Sequence, residues 1–242
     1  MIITVAIQKG GTGKTTTAAI LAQAAAAKGR KVLAIDLDPQ ANLTFALGAT
    51  AGNPGSRGLL DGVQVDSLIQ ATAQHIDVIP AAWDLATVTT GKGSARRLQA
   101  ALEPIKGKYD YIIIDTPPTA GELQYNALQA ADGLIIPLQA DIYNAQSLYQ
   151  ITDTANAIRK TNPRLQILGI VFTQHNSRST IARQMADAIR SNADALGVPY
   201  LGEIRQAVVV KEAAALQQSL YQYAPKSKPA ADYMAVLERI EA

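Results

Sequence analysis

Short apolar runs alternate with segments of helical periodicity along the chain. The apolar runs predict buried strands over residues 1–8, 31–36, 76–80, 109–115, 133–138, 165–172 and 200–204. The periodic segments predict helices over residues 15–28, 96–105, 121–130, 144–160, 180–196, 209–218 and 230–240. Strands separated by helices indicate an α/β fold with a mostly parallel, twisted sheet and helices on both faces. Ligands of such sheets bind at the carboxyl ends of the strands.

The composition is that of an ordinary globular protein, with 48% hydrophobic and 17% charged residues among 242. We expect residues 1–242 to form one domain, with no helix-turn-helix domain in front of the first strand. The chain has no cysteine, which excludes disulfides, thiolate zinc sites and cysteine-ligated iron–sulfur clusters and favours a cytoplasmic location. The first apolar run is too short for a signal peptide or a membrane span. A glycine-rich stretch at residues 48–62 predicts a mobile loop.

The charge is unevenly distributed, although the whole chain carries a formal charge of only +2. Residues 1–156 hold 11 basic and 13 acidic side chains, whereas residues 157–228 hold 10 basic and 4 acidic ones. A local excess of basic side chains is typical of a surface that docks a polyanion. A solvated face without a partner is the alternative interpretation.

A glycine-rich loop with two lysines lies between the first predicted strand and the first predicted helix. Its glycines let successive backbone N–H groups point inward, and the following helix adds its positive end, which together make a nest for phosphates. Lys14 supplies a positive charge to the β- and γ-phosphates, and Thr15 offers a hydroxyl to Mg²⁺. The pattern predicts a site for the phosphates of a nucleotide and for Mg²⁺, made of Gly10, Gly11, Thr12, Gly13, Lys14, Thr15 and Thr16.

The segment K-G-G-T-G-K-T-T at residues 9–16 resembles the deviant Walker A box of the ParA/MinD branch of P-loop ATPases. The resemblance implies a P-loop NTPase fold of the SIMIBI type and hydrolysis of ATP to ADP and phosphate. It also implies that Lys9 reaches across a dimer interface to the nucleotide of the other subunit. A second cation at the γ-phosphate would stabilise the transition state as an arginine finger does.

Two aspartates continue this resemblance. Asp38, in the segment D-L-D-P-Q-A-N, corresponds to the aspartate that orients the attacking water in the family. Asp115 ends the apolar run Y-I-I-I-D and resembles the Walker B aspartate, which faces the shell of Mg²⁺. The resemblance therefore implies Lys9, Lys14 and Asp38 as catalytic residues and Thr15, Asp38 and Asp115 as metal-site residues. Asp36 alone is typical of a helix cap.

The chain is most similar to short, Soj-like ParA proteins of DNA partition. Reductase members of the family bind an iron–sulfur cluster through cysteines, which this chain lacks. The tail 230–242 carries three acids and one arginine, which predicts a packing helix and no membrane partner. The resemblance implies that ATP closes a sandwich homodimer that binds nonspecific DNA. A ParB-type partner would stimulate a weak ATPase and release the dimer. Such a protein is cytoplasmic and nucleoid-associated.

The DNA contacts are predicted from the basic stretch. Arg183 and Arg190 are seven residues apart and therefore share one helix face. The predicted DNA-binding residues are Arg178, Arg183, Arg190, Arg205 and Lys211. The family also holds adenine after the strand that precedes His175, so we expect the base near residues 174–176. A ParA-like ATPase that positions a protein cargo and a metabolic P-loop enzyme of amidoligase or dethiobiotin type stay open as alternatives.

Overall fold

The strands follow the apolar runs of the chain. A computed structural model of the protein describes residues 1–88, 94–141, 144–175 and 180–242. Its strands are β1 Ile2–Val5, β2 Val32–Asp36, β3 Gln70–Ala71, β4 Asp77–Ile79, β5 Tyr111–Asp115, β6 Gly133–Leu138, β7 Gln166–His175 and β8 Tyr200–Arg205. They form one sheet in the order β3-β4-β2-β5-β1-β6-β7-β8. Every neighbouring pair is parallel except β3 and β4, which are antiparallel.

Helices cover both faces of this sheet. They are α1 Lys14–Ala27, α2 Asn42–Ala46, α3 Gly55–Leu60, α4 Arg97–Leu102, α5 Glu122–Ala130, α6 Asn144–Arg159, α7 Thr180–Ala195, α8 Val208–Ala215, α9 Leu220–Tyr223 and α10 Lys228–Glu241. The buried hydrophobic residues form two clusters, each made by the sheet and one set of helices. One cluster contains residues of α1, α2, α8, α9 and α10, and the second contains residues of α3, α4, α5, α6 and α7. Because the strands are covered on both sides, their residues are apolar in near-continuous runs. The predicted α/β fold with a mostly parallel sheet is confirmed.

Several short elements were not predicted. Helices α2, α3 and α9 and the edge strand β3 are too short to show a clear hydrophobic period. The predicted mobile loop at 48–62 is wrong for residues 55–60, which form α3. The Ser56 side chain is fully buried there, and its Oγ donates a hydrogen bond to the Asp36 carbonyl at 2.6 Å. This contact between distant residues, which local composition does not encode, holds the segment in place.

The carboxyl ends of three neighbouring strands meet at one edge of the sheet. Asp36 of β2 and Val5 of β1 are both register partners of Asp115 in β5. Parallel pairing therefore brings the phosphate-loop segment after β1 next to the aspartates that end β2 and β5. This edge positions the candidate site.

Candidate nucleotide and magnesium site

The loop between β1 and α1 is shaped by left-handed glycines. Gly11 has φ of 74° and Gly13 has φ of 85°, a region that side chains with a Cβ rarely adopt. Helix α1 begins directly after Gly13, and its N-cap position supplies no side-chain hydrogen bond. Its first N–H groups and the positive end of the helix dipole are therefore available to an anion. The predicted phosphate loop has the geometry of such a site.

Two side chains that we did not predict hold the carbonyls of this loop. Gln139, just past β6, donates from Nε2 to the Gly11 carbonyl at 2.7 Å. Thr173, in β7, donates from Oγ1 to the Thr12 carbonyl at 2.7 Å. With the carbonyls turned toward these donors, the loop keeps its curved shape. The only sequence signal for both residues is their position near the carboxyl ends of parallel strands.

Lys14 is buried at the foot of the loop, with 6% of its surface exposed. Its Nζ donates to the Lys9 carbonyl at 2.8 Å, so the lysine lies under the curve of the loop. Burial lowers the pKa of the Lys14 ammonium, whereas the nearby carboxylates of Asp115 and Asp38 oppose that shift. The prediction that Lys14 and the two aspartates share one site agrees with this placement.

Asp36 is a structural carboxylate at the end of β2. Its oxygens accept hydrogen bonds from the backbone N–H of Asp38 at 3.0 Å and of Thr44 at 2.8 Å, and from Thr44 Oγ1 at 2.7 Å. Burial raises the pKa of Asp36 to about 6, and these hydrogen bonds oppose the shift. The interpretation of Asp36 as an N-cap residue is wrong, because the N-cap position of α2 is Ala41. Asp36 instead accepts from the Thr44 N–H in the first turn of α2 while it lies at the end of β2.

Asp115 is completely buried one strand away. Its Oδ1 accepts from the Thr116 N–H at 3.0 Å, whereas Oδ2 has no hydrogen-bond partner among the described residues. Burial raises the pKa of Asp115 well above its usual range, and the negative charge of Asp36 adds to the shift. The Thr15 hydroxyl and the Lys14 ammonium lower the pKa of Asp115 and so oppose this shift. A buried carboxylate oxygen of this kind, close to a threonine hydroxyl, fits a site for a hard cation or its water shell.

Asp38 lies near Lys14 and Asp115, close enough to affect the pKa of both, and 8% of its surface is exposed. Its Oδ1 accepts from the Gln40 N–H at 3.0 Å, which orients the carboxylate within its turn. Within residues 1–88, 94–141, 144–175 and 180–242, no group of three or more His, Cys, Asp or Glu side chains is arranged to hold a metal ion. The donor set nevertheless fits Mg²⁺, which usually takes only one or two carboxylates together with waters and the phosphates of a nucleotide.

Lys9 lies at the start of the loop. Its Nζ is 3.2 Å from Oδ2 of Asp141, a residue that follows β6 in the same chain. The side chains are 28% and 40% exposed, respectively, so the pair lies at the surface of the site. The position of Lys9 is compatible with the predicted contact across an interface, which stays a prediction.

A cleft of about 590 Å³ opens beside the phosphate loop. Gly13 and Thr16 line one end, and the end of β7 and the turn between β8 and α8 line much of the rest. Gln174 and His175, two of the residues expected near the base, lie in this wall, and residue 176 lies outside the described residues. The cleft has the volume of a small-molecule site.

The residues predicted to bind DNA do not form one free basic face. Arg183 is exposed on α7, and Lys211 is exposed on α8. Arg190 is paired with Glu203 and donates to Tyr200 Oη at 2.9 Å, and Arg205 is paired with Asp232. Arg178 lies outside the described residues. These contacts limit what Arg190 and Arg205 can offer to a phosphate, and the DNA-binding role of the whole set stays a prediction.

The predicted packing role of the tail agrees with the structure. Helix α10 buries Tyr233, Val236 and Leu237 against α1 and β8. Tyr233 Oη lies 3.3 Å from Thr17 Oγ1 in the first turns of α1, close to the phosphate loop. In the part of the chain that the structure describes, no helix has the length and apolar character needed to cross a membrane.

Comparisons with known proteins agree with the fold and the site. A family model described as an AAA domain matches residues 1–167. The chain is 34% identical to the sporulation initiation inhibitor protein Soj of Bacillus subtilis over 251 aligned residues, which cover 100% of this chain and 98% of that protein. It is 41% identical to the chromosome partitioning protein ParA of Myxococcus xanthus over 198 residues, 78% of this chain and 70% of that protein.

Solved structures of similar proteins share the fold over nearly the whole chain. An ATP complex of McdA from Cyanothece has a TM-score of 0.87 at 27% identity, covering 99% of this chain and 96% of that one. Cobyrinic acid a,c-diamide synthase of Mycobacterium smegmatis, with an ATP analogue and magnesium, has a TM-score of 0.81 at 31% identity, covering 98% and 92%. The fold and the site thus define a P-loop nucleotide-binding ATPase. The chain belongs to the ParA/Soj family of partition ATPases.

Proposed function

We propose that this protein is an ATP-dependent DNA partition ATPase formed by a single domain over residues 1–242. ATP closes a sandwich homodimer that binds nonspecific DNA, and a ParB-type partner stimulates slow hydrolysis and releases the dimer. The observation that carries the proposal is the burial of Lys14 beneath a phosphate loop, next to the carboxylates of Asp38 and Asp115. Relatives named as chromosome partitioning proteins support it. The protein would act in the cytoplasm on the nucleoid.

Each part of the site has a separate task in this proposal. The N–H groups of residues 10–16 and the ammonium of Lys14 bind the β- and γ-phosphates. Thr15, Asp38 and Asp115 would hold Mg²⁺ directly or through water, and the ion would neutralise charge on the phosphate oxygens. Asp38 accepts a hydrogen bond from the attacking water and orients it toward the γ-phosphate. The intrinsic rate would be slow, because the group that stimulates hydrolysis would come from the ParB-type partner.

Lys9 links catalysis to dimerisation. Its side chain is partly exposed at the rim of the loop, where a second subunit could approach. An ammonium that reaches the γ-phosphate of the partner would stabilise negative charge that develops in the transition state. ATP would thus stabilise the dimer, and the dimer would complete the site.

The proposed DNA contacts come from the basic stretch at residues 157–228. Arg183 and Lys211 are exposed and have the reach to contact phosphates. Neutralisation of phosphates by such side chains releases counterions, so binding must weaken steeply with salt. A contact of this type carries no sequence information, as expected for a protein that travels on the nucleoid.

The deciding experiment is DNA binding by the Asp38→Ala protein, which should keep ATP unhydrolysed. Its affinity for a nonspecific duplex is measured with ATP, with ADP and without nucleotide, each across a salt series. We expect binding with ATP only, with a steep dependence on salt. Replacing Arg183 and Lys211 by alanine should reduce the steepness of log affinity against log salt by roughly 0.9 for each phosphate that is no longer neutralised. Lys108→Ala is the matched control. Lys108 lies near the amino end of β5, so it is at the opposite end of the strands from the candidate site.

Two other results would redirect the proposal. ATP-dependent dimers that bind no DNA at any salt concentration would reject DNA as the partner and favour a ParA-like ATPase that positions a protein cargo. DNA binding that is independent of nucleotide would show that ATP does not control the binding of DNA.

A second candidate function is ATP-dependent amide formation. It is favoured by the likeness to cobyrinic acid a,c-diamide synthase, at 32% identity over 98% of this chain with a TM-score of 0.83. Such an enzyme transfers a phosphoryl group to a substrate carboxylate before an amine attacks. ADP formation that depends on cobyrinic acid and ammonia, and that is insensitive to DNA and to Lys9→Ala, would support this candidate over partition.

A further inference from the structure

Gln8, the residue before Lys9, is tied to two helices on one face of the sheet. It follows β1 and is half-buried. Its Nε2 donates to Oε1 of Gln124 in α5 at 3.2 Å and to Oγ1 of Thr154 in α6 at 3.1 Å. Gln124 is completely buried. The side chain of Gln8 thus joins the start of the phosphate loop to α5 and α6.

The hydrogen bonds of Thr154 determine which end of the Gln8 amide faces it. Thr154 Oγ1 donates its own proton to the Gln150 carbonyl at 2.8 Å. A hydroxyl has only one proton, so this oxygen serves Gln8 as an acceptor. The group that faces Thr154 is therefore the NH₂ of Gln8. Its two N–H donors are divided between the two helices, which fixes the orientation of the amide.

These contacts restrain the backbone from which the Lys9 side chain extends. Gln8 directly precedes Lys9, and the Lys9 carbonyl accepts from Lys14 Nζ at 2.8 Å, so the backbone here is held from two sides. In the proposed ATP complex Lys14 also binds phosphates, whereas the contacts of Gln8 involve no group that binds the nucleotide. The Lys9 side chain itself forms a partly exposed ion pair with Asp141, and such pairs restrain a long side chain only weakly. The restrained backbone therefore contributes to the direction that Lys9 takes.

We propose that Gln8 is a positioning residue for Lys9: by tying the start of the loop to α5 and α6, it directs the lysine toward the nucleotide of the second subunit. The inference rests on the proposed ATP-dependent dimer. A long side chain loses conformational freedom when it binds a distant group, and a fixed starting point reduces that cost. Gln8 would therefore strengthen the dimer without contacting either nucleotide.

The test measures two affinities of Gln8→Leu on the Asp38→Ala background. Sedimentation velocity gives the dissociation constant of the dimer with ATP, and equilibrium titration at lower protein concentration gives the ATP affinity of the monomer. Loss of the two hydrogen bonds should weaken the dimer by roughly tenfold, whereas the ATP affinity should stay close to that of the parent. A dimer as tight as that of the parent would overturn the inference. Equal losses in both affinities would overturn it as well, because they would assign Gln8 to the support of the phosphate loop.

Helix α6 offers variants that do not depend on the folding of Gln8→Leu. Thr154→Val removes one acceptor and should weaken the dimer by roughly threefold, whereas Thr154→Ser keeps the oxygen and should dimerise like the parent. Thr152→Val is the matched control, because Thr152 is buried in the same helix and its Oγ1 has no hydrogen-bond partner among the described residues. Equal effects of Thr152→Val and Thr154→Val would overturn the inference. A parent that forms no dimer with ATP would instead reject the proposed function, so the two failures are distinguishable.

Discussion

Lys9 and Asp141 form an ion pair within one chain, with Nζ and Oδ2 separated by 3.2 Å. Both side chains are partly exposed, and such surface pairs contribute about 0–1 kcal/mol. A lysine that acts on the nucleotide of a partner subunit must leave this contact when the dimer closes. The pair therefore holds Lys9 near the loop. Because the pair is weak, breaking it opposes closure of the dimer only slightly.

The first prediction concerns dimerisation. Lys9→Ala should bind ATP but fail to form the closed dimer, because the charge proposed to reach the second nucleotide is removed. Asp141→Asn should dimerise with ATP as well as the wild type or up to about fivefold more tightly, since Lys9 is released from its partner. Sedimentation velocity with ATP, performed on the Asp38→Ala background, measures both effects. A Lys9→Ala protein with the dimer affinity of its parent would contradict the role of Lys9.

The second prediction concerns nucleotide affinity. Lys14→Ala should lower the affinity for ATP by roughly 10- to 100-fold, because it removes the buried ammonium that is proposed to form a charge-assisted hydrogen bond to the phosphates. Equilibrium titration with a fluorescent ATP analogue measures the decrease. Lys108→Ala, at an exposed lysine paired with Asp66, serves as the control and should leave the affinity unchanged. Equal affinities of the two variants would exclude Lys14 from the phosphate site.

The third prediction separates hydrolysis from binding. Asp38→Ala should keep ATP affinity within a few-fold of the wild type and abolish phosphate release. In the proposed mechanism its carboxylate orients the attacking water, and Thr15 and Asp115 still hold Mg²⁺. ATP-bound dimers should then accumulate in size-exclusion chromatography with light scattering. A monomeric Asp38→Ala protein at saturating ATP is the result that this scheme does not allow.

The fourth prediction concerns stability and pH. Burial raises the pKa of Asp36 to about 6, above its usual value, so ionisation of this carboxyl destabilises the fold as the pH rises from about 4 to about 6. The Thr44 hydroxyl, 2.7 Å away, favours the charged form and limits that destabilisation. Thr44→Val should therefore lower the free energy of unfolding by roughly 1–3 kcal/mol at pH 8 and by less at pH 5.

Denaturant unfolding of the nucleotide-free protein at both pH values checks this prediction. The Thr44 hydroxyl also accepts a hydrogen bond from the Ala81 N–H, and removing that bond costs the same at every pH. Thr44→Ser, which keeps the hydroxyl, is the control for both hydrogen bonds. An identical decrease at pH 5 and pH 8 would show that the charge on Asp36 has no part in the effect.

Local signals were sufficient for the central part of the site. The apolar run before Lys9, the glycines and the periodic segment after Lys14 together specify strand, loop and helix, and each signal is complete within about 30 residues. The signal for Asp115 is also local, because this residue ends a run of four apolar positions. For this reason the observed β1, α1 and β5 lie within a few residues of their predicted bounds.

Contacts between distant segments could not be predicted in this way. Gln139 and Thr173 hold the phosphate loop from sequence positions far from it, and the sequence marks them only as strand-end residues. Arg190 illustrates the opposite case, because its charge suggested a free basic side chain. Its pairing with Glu203 depends on how α7 packs against β7, from where the Arg190 side chain reaches β8.

The sequence by itself determined the class of fold, the strand, loop and helix around residues 9–16 and the position of Asp115 at the end of a strand, because these depend on periodicity and on residues that are neighbours along the chain. Only the tertiary structure decided which side chains support that loop and which basic residues are already paired. Those properties depend on burial and on distances between segments that the order of parallel strands brings together. A buried charge or acceptor must find a partner in space, and that partner is rarely a neighbour in sequence.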